Sequence, residues 1–208
     1  MSEYSEIEEK LNVYSHLLGV VLGLIGLILL IVKGAEQESL KASVSFIIFG
    51  VSIVLLFFAS SLYHHTKNIN LRLKRKVLDH CAIYILIAGT YTPYALGALG
   101  GKLGWIIFGV SWGMALMGIT FKIFFTGRFN IVSTLLYVLM GWMIVFFVKP
   151  LKLTLSEEGF NWLLAGGISY TVGALAYSIE KIKFNHAIFH VFVLGGTFSH
   201  YISVYYYI

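Results

Sequence analysis

Residues 12–32 read NVYSHLLGVVLGLIGLILLIV: 21 positions with no charge, and one histidine near the start. A helix needs about 20 predominantly apolar residues to cross the hydrocarbon core of a bilayer, so this stretch predicts a transmembrane helix. Six further stretches of the same kind follow, at residues 43–63, 78–99, 103–124, 131–148, 160–179 and 185–207. The expected fold is an all-α integral membrane protein, a seven-transmembrane helix bundle forming one domain over residues 1–208. Composition agrees. Hydrophobic residues make up 58% of the chain, charged residues 12%, and mean hydropathy is +0.84. A soluble domain carries about 25% charged residues, so a water-exposed globule is excluded.

Lysine and arginine set the orientation, because cytoplasmic loops collect them. The N-terminal segment and alternate loops hold ten of them: Lys10, Lys67, Arg72, Lys74, Arg75, Lys76, Lys122, Arg128, Lys181 and Lys183. The opposite side holds five: Lys33, Lys41, Lys102, Lys149 and Lys152. The N-terminus is therefore expected in the cytoplasm and the C-terminus outside, in a cell membrane. The net charge of +5 follows from this bias and does not indicate nucleic-acid binding. Arg72, Lys74, Arg75 and Lys76 lie beside the membrane and are expected to meet anionic lipid head groups. Residues 1–10 carry four glutamates, the wrong sign for a cleavable secretory signal. Cys81, the single cysteine, reads as a small core residue. Glycine pairs four apart, Gly19/Gly23 and Gly109/Gly113, predict close helix approach, and Pro93 predicts a kink in the third span.

Ionisable residues inside or beside spans are costly in lipid and mark function. Here they converge on the cytoplasmic side: Glu9, Asn12 and His16 on span 1, Ser60 and His64 on span 2, Asp79 on span 3, His186 and His190 on span 7. His186 and His190 are four apart and share a helix face, so they can chelate one ion. A third histidine from another helix would leave the fourth position of Zn²⁺ open, the catalytic arrangement. Asp79 can then serve as general base. His64 and His65 compete for the third place, since Ser60/His64 and Ser61/His65 have the same spacing. His80 is expected at the interface. His200, about 15 Å beyond His190 along the helix, is expected to make an interhelical hydrogen bond. Glu9, Asn12 and His16 form one stripe, read either as an ordinary helix entry or as residues supporting the metal ligands.

Four motifs in order carry a resemblance: Glu9-x-x-Asn12-x-x-x-His16-x-x-Gly19, Ser60-Ser-Leu-Tyr-His64, Leu78-Asp79-His80 leading to Ala88-Gly-Thr-Tyr-Thr-Pro93, and His186-x-x-x-His190. The chain resembles the haemolysin III branch, the bacterial branch, of the progestin and adipoQ receptor (PAQR) family over nearly its whole length. The resemblance implies seven helices and zinc on His64, His186 and His190, with Asp79 at the water on the ion and Ser60 beside it. Similarity of the wider superfamily to alkaline ceramidases implies hydrolysis of a membrane-lipid amide or ester. Too few residues precede span 1 for the N-terminal domain of the eukaryotic receptors, so recognition of a protein hormone is not expected. The alternatives are a non-enzymatic regulator of membrane homeostasis, with a membrane lipid as ligand, and a cytolysin. A resident bundle argues against the last.

Overall fold

The structure is a computed structural model and describes residues 4–126, 128–179 and 181–208. Among the described residues it is helical, with no strand. Helix α1 spans Glu6–Ala35, α2 Leu40–His65 and α3 Ile69–Thr92; a π-helical stretch, Pro93–Leu99, continues α3. Then come α4 (Gly101–Phe125), α5 (Asn130–Gly141), a 3₁₀ segment (Trp142–Phe147), α6 (Val148–Thr154), α7 (Glu157–Ser178) and α8 (Asn185–Tyr207).

Caps explain why two helices start earlier than their apolar stretches. The Ser5 hydroxyl accepts from the Glu8 N–H at 3.3 Å, and Glu6, Glu8 and Glu9 sit in the first turn of α1, where the helix dipole favours negative charge. The Asn68 side chain accepts from the Leu71 N–H at 3.1 Å, so the basic stretch before span 3 is helix, not loop. At Pro93, which lacks an N–H and where a kink is expected, the helix type changes: α3 passes into π-helical turns closed by Gly100 N–H donating to Ala95 O at 2.9 Å.

Six helical segments among the described residues are long and apolar enough to cross a membrane: Glu6–Ala35, Leu40–His65, Ile69–Leu99, Gly101–Phe125, Ile131–Thr154 and Asn185–Tyr207. The chain is thus a multi-pass membrane protein. Its outer surface is apolar, with Phe124, Phe146 and Leu153 exposed by 74%, 82% and 87%, as lipid-facing side chains must be. The expected sixth span corresponds to α7, which has the length, 22 residues, but is not among those six. Four glycines and the polar Asn161, Ser169, Tyr170 and Thr171 dilute its hydropathy. Several of these groups face α8 instead of lipid. Ser169 Oγ donates to Phe192 O at 2.7 Å, Tyr170 bonds Thr197 at 2.8 Å, and Gly166 lies flush against the His200 ring.

The fifth span, expected as one helix over residues 131–148, is broken. The Tyr91 hydroxyl of α3 donates toward Met140 O (3.1 Å) and Gly141 O (2.7 Å) and accepts from the Ile144 N–H (2.8 Å). A side chain inserted into the i→i−4 ladder forces a local change of helix type, and the 3₁₀ segment begins at that point. The glycine expectations divide. A Cβ on Gly19 would fall 2.6 Å from Phe57 and one on Gly23 would fall 3.1 Å from Ile53, so α1 does lie close against α2 there. Gly109 and Gly113 have nothing within 4 Å among the described residues and make no close approach. Helices α2 and α3 are the most enclosed, with Phe46, Phe49, Ile53 and Phe57 of α2 central to the core. Cys81 is buried and free. The start of α1, the end of α2, the start of α3, the end of α4 and the start of α8 all meet at one end of the bundle.

Candidate metal centre

Three histidines gather at that end. His64 comes from the last turn of α2, and His186 and His190 from the first two turns of α8. Each has a nitrogen within 4.8 Å of one on both others, and all three are buried. His64 Nε2 and His186 Nε2 stand 3.0 Å apart. Two nitrogens bound tetrahedrally to a single zinc at about 2.0–2.1 Å would be roughly 3.3 Å apart, so this pair is already close to a ligating separation. His65, one residue on, is exposed; α2 carries it round the helix away from the cluster.

The opposite ring nitrogens are what orient these side chains. His64 Nδ1 lies 2.7 Å from Glu9 Oε2, and His190 Nδ1 lies 3.3 Å from Asn12 O. A carboxylate and a carbonyl only accept, so Nδ1 carries the proton in both rings and Nε2 is the nitrogen turned toward the cluster. His186 Nδ1 is held by the Tyr4 hydroxyl at 3.0 Å, a group that can donate or accept. A metal-ligating histidine nearly always has its second nitrogen tied in this way. Glu9 is fixed in turn by Arg72, whose guanidinium donates to Glu9 Oε1 and to Thr66 O and stacks on Tyr63. The expected stripe of α1 therefore meets the site at every member. Glu9 holds His64. Asn12 gives its carbonyl to His190, and its Nδ2 lies 3.4 Å from His64 Nδ1. His16 stacks flat on His190, with ring centroids 3.5 Å apart and planes at 9°.

Ser60 and Asp79 are buried beside the cluster, the Ser60 hydroxyl within bonding reach of the Asp79 carboxyl. With His186 and His190 they line one end of a cavity of about 310 Å³, within the range of small-molecule sites. From there it runs along α8 as far as His200, 14 residues past His186 or about 20 Å. Apolar side chains such as Leu86, Ile87, Val145 and Leu163 form most of its walls. His200 Nε2 donates to Leu163 O at 3.0 Å, the interhelical bond anticipated for it. His80, anticipated at the interface, faces this cavity instead, because α3 turns Asp79 and His80 into the bundle together.

A family model described as Haemolysin-III related matches residues 4–201. The chain belongs to the haemolysin III family. Hemolysin-3 of Bacillus cereus is 45% identical over 201 residues, which is 97% of this chain and 92% of that protein. The Hemolysin-3 homolog of Bacillus subtilis (strain 168) is 46% identical over 200 residues, 96% and 94% of the two chains. The human Monocyte to macrophage differentiation factor is 26% identical over 215 residues, covering 97% of this chain and 84% of its own. Bacterial haemolysin III relatives and apolar crossing helices are consistent with a bacterial inner membrane.

Five residues of this haemolysin III site carry no signal in the linear sequence. Tyr4 lies in an acidic leader to α1, and Ser15, 3.3 Å from His190 Nδ1, is an ordinary serine. Arg72 reads as one of a surface basic run, yet it spends its charge on Glu9, and Arg75 likewise bonds Thr66 and Leu62 O. Lys122 reads as a loop charge, yet it is 1% exposed and lines the cavity. Glu9→Gln is expected to keep the fold, by circular dichroism, and to weaken metal affinity about 10–100-fold, the usual cost of losing such an outer partner. Competition against a chelator of known affinity measures it.

Proposed function

We propose that this chain is a seven-span membrane hydrolase with a cytoplasmic N-terminus, which holds a zinc ion on His64, His186 and His190 and cleaves an amide or ester of a membrane lipid. The observation that carries the reading is the set of three converging imidazole nitrogens, two of them on histidines that line one end of a long apolar cavity with Asp79 and Ser60. Three neutral imidazoles with no carboxylate in the ligand set suit zinc and leave one coordination position open. A zinc ion so held lowers the pKa of water to about 7 and polarises a carbonyl oxygen. Asp79 is the general base. It takes the proton as the water oxygen bonds to the carbonyl carbon, and returns it to the nitrogen or oxygen leaving as that bond breaks. Ser60 orients the Asp79 carboxylate or donates to the oxyanion that develops. The cavity holds the acyl chain and keeps bulk water out.

The seventh span is α7: it is long enough to cross and lies along α8, and its polar groups are satisfied there. Ten basic residues against five favour the cytoplasmic side for the end that carries the site. On that side Lys74 remains available to anionic head groups. The test is fatty-acid release from a panel of lipid amides and esters by purified protein, abolished by chelation and restored by zinc. One zinc per chain with no release across the panel counts against hydrolysis. That result favours a second reading, supported by the ties the site makes between α1, α2, α3 and α8 through Glu9, His64, Arg72 and His186: the metal then staples the bundle of a regulator. Leakage of dye-loaded liposomes would be the mark of a cytolysin.

A further inference from the structure

Lys122 stands in the last turn of α4, a helix otherwise apolar along most of its length. A lysine at that place ordinarily reaches outward, its stem along the helix and its ammonium in water, where the carbonyl end of the helix also favours it. Here the side chain is 1% exposed and turns into the cavity. No carboxylate lies within 4.0 Å of its ammonium among the described residues. Asp79 is near enough to act on it electrostatically, but makes no contact ion pair with it, and its carboxyl accepts from Ser60. A charge buried in a membrane bundle without a contacting carboxylate is costly, and such residues face substrate or ion paths. A second group points the same way. His80 also lines the cavity, and its Nδ1 is buried with no hydrogen-bond partner. Lys76 is close enough to both to add to the positive field. The cavity therefore has two chemically different ends: a long apolar run toward His200, and a polar corner beside Asp79 where Lys122 has no contacting carboxylate and His80 Nδ1 no hydrogen-bond partner among the described residues.

We infer that the lipid entering this cavity carries an anionic headgroup, a phosphate or carboxylate, bound by Lys122 and His80. The inference rests on the hydrolase reading for what is cleaved, and narrows its substrate class. Because His80 follows Asp79 directly, the acidic group sits only a few bonds from the scissile amide or ester. An uncharged lipid amide would leave the Lys122 ammonium without an anion in contact, so it is a poorer substrate than an acidic acyl lipid.

Binding tests this without turnover, on the purified full-length protein in an uncharged detergent, by melting temperature against dodecyl phosphate, dodecanol and inorganic phosphate. Dodecyl phosphate is expected to protect saturably, at concentrations at least tenfold lower than dodecanol. Lys122→Met is expected to lose that advantage while its response to dodecanol stays the same, and Lys122→Arg to retain most of it. Lys122→Met removes a buried charge that makes no contact ion pair, so it is expected to fold; should it not, His80→Phe is read in its place, with a loss of several-fold. Equal protection by dodecyl phosphate and dodecanol overturns the inference. So does a phosphate preference that survives in both Lys122→Met and His80→Phe, which would place the anion on the histidine cluster. Inorganic phosphate protecting as strongly as dodecyl phosphate overturns the assignment to a lipid and makes the corner a site for a free anion. If Lys122-dependent binding is found but no lipid is cleaved, hydrolysis alone fails and the headgroup site stands.

Discussion

Asp79→Asn is expected to leave the metal bound and to slow lipid cleavage by about 10²–10⁴-fold, the usual worth of a positioned general acid–base group. The substitution is nearly isosteric. An amide still bonds Ser60, and the cavity keeps its shape, but the group can no longer accept a proton from water. Asp79 is not among the three residues whose ligand atoms converge, so metal stoichiometry should not move. Activity and metal content measured on the same preparation separate the outcomes. Loss of both makes Asp79 a ligand or a structural residue, and retained activity removes it from the chemistry.

His190→Ala is expected to cost about a thousandfold in metal affinity. A structural zinc site is worth roughly 10–16 kcal/mol, so one of three protein ligands accounts for about 4 kcal/mol, or about 10³ in the binding constant. The variant also loses the bond from His190 Nδ1 to Asn12 O and the stacking on His16, so its melting temperature should fall. His200→Ala supplies the comparison. That histidine is buried in the same helix and bonds Leu163 O, outside the ligand set. It should destabilise the bundle yet retain the metal. If both variants keep the ion, or both lose it, the ligand assignment is wrong.

How far the sequence could be read follows from the range of the interactions involved. Lipid imposes length and apolarity on each span independently, so six crossing helices were legible from local composition. α7 was legible as a helix, but its polar face is satisfied by α8, a fact no window within residues 160–179 contains. The break at Gly141 is invisible for the same reason, because Tyr91 lies 50 residues earlier in the chain. In the site, the spacing of His186 and His190 and the stripe of Glu9, Asn12 and His16 are helix periodicities, and both lead to one place. The choice between His64 and His65 depends on which way α2 is rotated against α1 and α8, which only packing decides. Arg72 and Lys122 were counted among loop charges because charge-counting cannot tell a solvated side chain from one turned inward.

The central claim is that three imidazoles from α2 and α8 close on one metal ion. Metal analysis of purified wild type, His64→Ala and His65→Ala tests it most directly. One zinc per chain is expected in wild type and in His65→Ala, and loss of the ion in His64→Ala. Equal metal content in all three, or none in the wild type after purification with zinc, contradicts it.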